Sequence, residues 1–209
     1  MDPNKTLETY YDHYKESNSL RKVSQSRRNK SFAYLCILEA ISFLMVRNSE
    51  FICGLLNEAV AKKLETTIQI GTGIIQTLIW ILIAYVLVRY VQDVLYIERQ
   101  YSYLARLEKE ISKQLGEKQD DSIFSREGED YLRDYPLVLN FIDLFYKMFA
   151  PILFAVINVV HIVQEWNFGE GLTLICDTVI CATILIIIWF YFFALHKKLT
   201  SWFLKCPPI

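Results

Sequence analysis

Four apolar stretches, residues 31–46, 68–91, 137–163 and 171–195, surround one polar insert of about 45 residues. A helix crosses the hydrocarbon of a bilayer with about 20 apolar residues. Stretches of this kind predict an all-α integral membrane protein: four transmembrane helices with a cytoplasmic helical hairpin. The first stretch is the shortest and carries Glu39. An interfacial helix is the alternative there. Yet Tyr34, Leu35, Ile37, Leu38, Ile41, Phe43 and Leu44 cover all sides of a helix, which favours crossing over lying flat. A cleaved leader is not expected, because the apolar run starts only after thirty polar residues.

Orientation follows from the basic residues. Arg21, Lys22, Arg27, Arg28 and Lys30 precede the first stretch, and Lys197, Lys198 and Lys205 follow the fourth. The insert carries Arg99, Arg106, Lys109, Lys113, Lys118, Arg126 and Arg133. Four spans with both termini and the insert on the cytoplasmic side of a bacterial inner membrane satisfy these positions together. The expected division is a basic and aromatic cytoplasmic helix (1–30), two transmembrane helices joined by an outer amphipathic helix (31–91), the cytoplasmic hairpin (92–136), two further transmembrane helices (137–196) and a tail (197–209).

The amino segment has no Gly from residue 4 to residue 30 and no Pro beyond Pro3, so it reads as helix. Tyr10 and Tyr14 share a face at four-residue spacing, ahead of the basic run Arg21, Lys22, Arg27, Arg28 and Lys30. Arginines bind phosphate and tyrosines stack bases. These residues are therefore the candidate anion site, with anionic lipid and a nucleotide or nucleic-acid oligomer both open as its ligand. In the insert, Ile97, Leu104 and Ile111 recur every seventh residue, a short heptad pattern. No helix breaker separates it from the second span. One helix is expected from about Ile68 to Leu115, capped by Gly116. The hairpin's inner face would be Ile97, Tyr101, Leu104, Ile111, Tyr131 and Leu132.

No catalytic set is readable. The insert has 11 acidic and 7 basic residues and no histidine, a mixed field that makes surface ion pairs. There is no phosphate-binding glycine loop, no nucleophile–histidine arrangement, and no metal or cofactor motif. The cysteines lack the spacing of a disulfide framework or a metal site and read as small apolar residues. What stands out instead is polarity inside the spans: Glu39, Gln76, Asn158, His161 and Asp177. Such groups in lipid face the bundle interior or an aqueous path. They are the candidate polar network or pore lining, with His161 and Asp177 at similar depth and able to pair. Residues 51–65, with Ile52, Leu55, Leu56, Ala59, Val60 and Leu64 at helical spacing, read as the outer amphipathic helix.

The stretch YIERQYSYLARLEKEISKQLG, followed by FSREGEDYLRDYPLVLNFIDLFYKMFAP, resembles a group of small bacterial membrane proteins. These are similar to the membrane effectors of antiphage defence systems, of the Hailong type or of the accessory type found in CRISPR loci. The accessory type's pairing of an arginine with a following histidine is missing: no arginine stands five to seven residues before a histidine. The resemblance implies a homo-oligomeric channel or pore, a tetramer in our reading, that disturbs the membrane once infection is sensed. It also implies a cytoplasmic defence partner and, for the Hailong type, control by a nucleic-acid oligomer. A membrane scaffold that recruits a partner through residues 95–115 is the alternative. Another is a small transporter, since small four-helix drug/proton antiporters also place one glutamate in the first span; those lack the long hairpin and amino segment.

Overall fold

A computed structural model describes residues 3–64, 70–116, 138, 141, 144–168 and 171–195. All regular structure among them is helical. Helix α1 is Pro3–Leu64, α2 is Thr72–Leu115, α3 is Ala150–Phe168 and α4 is Leu172–Leu195. A π-helical turn, Phe145–Phe149, leads into α3. It precedes Pro151, which has no N–H for the carbonyl four residues back, so the helix widens there. Two helical segments, Thr72–Leu115 and Leu172–Phe192, are long and apolar enough to cross a membrane. The bent pair Leu7–Met45 and Arg47–Lys63 supplies a third if taken as one span. In α3 the apolar run is interrupted by Asn158, His161, Gln164 and Glu165.

The expected long helix of the second span is present, from Thr72 to Leu115. It ends where Gly116 takes φ +71° and its N–H reaches the Lys113 carbonyl, a left-handed cap that favours glycine. The expected hairpin partner residues Tyr131 and Leu132 lie outside the described residues, as do the tail and most of the insert's second half.

The chain divides into two compact units. One combines Met1–Lys30 with Tyr90–Leu144. Within it, the first part of α1 runs antiparallel to the end of α2: Tyr14 bonds Glu108, Gln25 bonds Tyr101, and Arg27 pairs with Asp93. On α2 the buried seam is Tyr90, Val94, Ile97, Leu104, Glu108 and Ile111, with Tyr101 half-buried between. On α1 it is Ser17, Arg21 and Ser24. Steps of three and four residues on both helices are those of left-handed coil packing. Small serines admit the larger aliphatic residues opposite, and full burial of each such residue contributes roughly 1.5–3 kcal/mol.

The other unit combines Ser31–Arg89 with Phe145–Ile209. Here α3 is central. It runs parallel to α1, through Glu39–Asn158 and Ser42–His161, and antiparallel to α2, through Gln76 and Trp80. It also runs antiparallel to α4, through Thr178 and Cys181. The three–four rhythm recurs in the buried residues Phe154, Asn158, His161 and Glu165 of α3, and in Asp177, Cys181, Ile184, Ile188 and Tyr191 of α4. At its N-terminal end α2 approaches α4 closely: a Cβ on Gly73 would stand 3.4 Å from Thr173 Oγ1.

α1 breaks at Asn48 (φ −141°, ψ 53°), and the segment Arg47–Lys63 turns away by 118°. This segment contains the expected amphipathic helix. Asn57 fastens it to the chain ahead of α2, donating to the Ile70 carbonyl and accepting from the Ile70 N–H, both at 3.0 Å.

A buried polar seam as the candidate functional site

The second unit is inverted relative to a water-soluble bundle. Its outside carries Ile81, Leu82, Val156, Val163, Ile175, Val179 and Ile186, each about half exposed or more. Its inside carries Glu39, Ser42, Asn158, His161, Glu165 and Asp177, none more than 9% exposed. In water such an apolar exterior drives association or aggregation; in lipid it is the solvated face. The polar interior must then be satisfied by its own members.

Two linked groups do this. At one, Asn158 Nδ2 donates to Glu39 Oε1 and to the Phe154 carbonyl, each at 2.7 Å. Both partners are acceptors, so the amide can face them only with its nitrogen. Glu39 Oε2 and Asn158 Oδ1 are left without a hydrogen bond inside the bundle. At the other, His161 faces Ser42 Oγ with Nδ1, while its Nε2 lies 3.1 Å from Gln76 Nε2 and 3.2 Å from Glu165 Oε1. Glu165 Oε1 also accepts from Gln76 and, at 2.8 Å, from Trp80 Nε1. The Trp80 indole stacks on the imidazole at 5.1 Å between centroids. Asp177 is buried in the same interior at 2% exposure, and its Oδ1 and the Thr77 Oγ1 close no hydrogen bond.

The structure therefore gathers the expected intramembrane residues Glu39, Asn158, His161 and Asp177 into one interior, with Gln76 half-buried at its edge. His161 contacts Ser42, Gln76 and Glu165; the pairing with Asp177 that the sequence left open is not formed among the described residues. Sequence reading missed Ser42, Trp80 and above all Glu165, which it left in the connection after the third span. The signal was there: Asn158, His161 and Glu165 continue one three–four stripe. Every one of these groups lies inside a single chain's bundle. No cluster of three or more metal-ligating side chains occurs among the described residues.

The amino-terminal candidates have a different setting. Tyr14 donates to Glu108 at 3.1 Å. Arg21 is 6% exposed, bonds Asn18 at 2.8 Å and lies 4.8 Å from the centre of the Tyr101 ring. Arg27 bonds Ser24 and pairs with Asp93 at 3.4 Å, and Arg28 bonds Asn29. Tyr10 is half-buried, while Lys22 and Lys30 are exposed. Tyr14 and Arg21 of the expected anion site thus hold the helix pair together, while Lys22, Arg27 and Lys30 face outward. The chain matches no family model, no curated protein and no solved structure.

Proposed function

We propose that the chain is a multi-pass membrane protein of four spans whose polar seam is an ion pathway, controlled from the cytoplasmic side. The observation that carries this is the seam itself. Three buried carboxyl groups and a histidine lie in an otherwise apolar bundle, at an energetic cost that packing alone does not require. In this reading both termini and the helix pair of the first unit are cytoplasmic, and the membrane is the bacterial inner membrane. α1 and α2 continue as helix through the boundaries at Lys30/Ser31 and Arg89/Tyr90, so what binds the cytoplasmic pair acts on the same helices that frame the seam.

Homo-oligomerisation as a tetramer, a role as an effector of antiphage defence, and an anionic ligand (lipid or a nucleic-acid oligomer) with a cytoplasmic defence partner belong to the same proposal. They rest on the sequence resemblance. The exposed Lys22, Arg27 and Lys30 are the residues open to meet such a ligand. The test is ionic current across planar bilayers from purified protein, with and without labelled oligonucleotides. Current abolished by Glu39→Gln or Glu165→Gln supports the reading. If cells keep the protein's effect when both carboxyl groups are removed, and lose it only when the surface of residues 95–115 is changed, the protein is a scaffold.

A further inference from the structure

We infer that the ion carried is the proton, passed along Glu165, His161, Ser42 and Glu39 without an open water-filled pore. This rests on the ion-pathway reading above and names its substrate. The contacts run without a break from Glu165 to Ser42: Glu165 Oε1 lies 3.2 Å from His161 Nε2, and His161 Nδ1 faces Ser42 Oγ. The imidazole is the pivot. With the proton on Nδ1, it donates to Ser42 and accepts from Gln76; with the proton on Nε2, it donates to Glu165 and accepts from the Ser42 hydroxyl. Both arrangements use the partners already in place. Exchange between them moves a proton across the ring.

Ser42 and Glu39 are one helical turn apart on α1. The step between them takes one water molecule, and the bundle offers that water its acceptors in Glu39 Oε2 and Asn158 Oδ1, both buried and otherwise without a hydrogen bond. The transfer balances. Glu165 gives its proton to His161 Nε2. Nδ1 releases its proton to Ser42 Oγ, and the hydroxyl's own proton passes through the water to Glu39. One proton has then moved from Glu165 to Glu39, and His161 is left with its proton on Nε2; the ring must reorient, with Nε2–H toward Ser42 and bare Nδ1 toward Glu165, before it takes the next proton. One turn further along α1 and α3 the seam ends in Leu35 and Phe154; Leu87 of α2 and Ile184 of α4 are buried apolar residues of the same bundle, all four 3% exposed or less. This apolar layer holds no group that relays protons. It is the barrier that opening must hydrate.

The experiment uses the full chain in liposomes, with a pH dye inside and, in parallel vesicles, reporters of K⁺ and Cl⁻ movement. Leu35→Asn and, separately, Ile184→Asn place a polar group in the barrier; monodisperse gel filtration shows that each is folded. Proton flux without K⁺ or Cl⁻ flux is expected. Addition of His161→Phe or Glu165→Gln should lower it about a hundredfold, the scale of a positioned proton-transfer group, while Thr183→Val on the outer face of α4 should not. Flux carried by K⁺ or Cl⁻, with no pH change, overturns the proton assignment and leaves an ion pathway. Proton flux that survives His161→Phe overturns the relay. No flux of any ion through either folded variant overturns both readings.

Discussion

Replacing Asn158 by leucine isolates the value of one polar contact inside the bundle. The amide is 0% exposed and gives one N–H to Glu39 Oε1 and one to the Phe154 carbonyl, each at 2.7 Å. The Phe154 carbonyl also belongs to the backbone ladder of α3, so its loss is small. Glu39 Oε1 has Asn158 as its hydrogen-bond donor and is left stranded. A buried acceptor deprived of its partner costs about 1–3 kcal/mol; contacts measured between membrane helices run to about 1.7 kcal/mol. Asn158→Leu should therefore destabilise by about 1–2 kcal/mol. Glu39→Met alone should cost less than about 1 kcal/mol, because it also removes a carboxyl group from an apolar site. The double variant should return to within about 0.5 kcal/mol of the parent, since removing both partners together is nearly neutral. The cycle is read by reversible unfolding in dodecyl maltoside micelles with rising dodecyl sulfate. Circular dichroism and the fluorescence of Trp80 serve as probes. A coupling below about 0.3 kcal/mol, with the two single effects simply adding, would refute the network as a contributor to stability.

Other expectations follow from single contacts. Cys36 and Cys176 are exposed on the apolar outer surface of the bundle, so a membrane-impermeant maleimide should leave both unlabelled in intact membranes and modify both in dodecyl sulfate; labelling in membranes would remove the lipid-facing assignment. Arg21→Ala should loosen the helix pair of the first unit by about 1–2 kcal/mol, through lost cation–π and hydrogen-bond contacts, seen as faster amide exchange over residues 10–28 and 94–112; unchanged exchange would sink it. Arg27→Ala should change stability by less than about 0.5 kcal/mol, because that arginine is 61% exposed and its pair with Asp93 is screened; a loss above about 2 kcal/mol would show a buried role. Asn57→Ala should release the Ile70 amide, raising its exchange rate about tenfold for a loss near 1.4 kcal/mol; an unaltered rate would mean that the segment is held elsewhere.

Much of the helical layout is legible in sequence because lipid and water leave different periodicities. The run through Leu115 has no breaker, and Gly116 marks its end. The ionisable residues within apolar stretches point inward because no other placement is tolerable. What sequence hides is the partner of Ile97, Leu104 and Ile111. Their seam on α1 is built from Ser17, Arg21 and Ser24, which no scan for apolar residues registers, although the spacing is the same. Glu165 escaped for the opposite reason. It lies where polarity rises toward the end of α3, and polarity there reads as the end of a span until its Trp80 and Gln76 partners are seen.

The polar stripe of α3 also bears on how the protein is made. A single charged side chain near the centre of a helix adds roughly 2.5–3.5 kcal/mol to its insertion, and α3 carries Asn158, His161 and Glu165 on one face. Alone beside the translocon, it is a poor candidate to leave water. In the proposed four-span arrangement, it becomes acceptable once Glu39, Ser42, Gln76 and Trp80 already stand in the membrane to receive that face, with α4 arriving to close the other side. α1 and α2 thus act as the template for α3, and a nascent chain whose first two helices are misplaced should fail at the third.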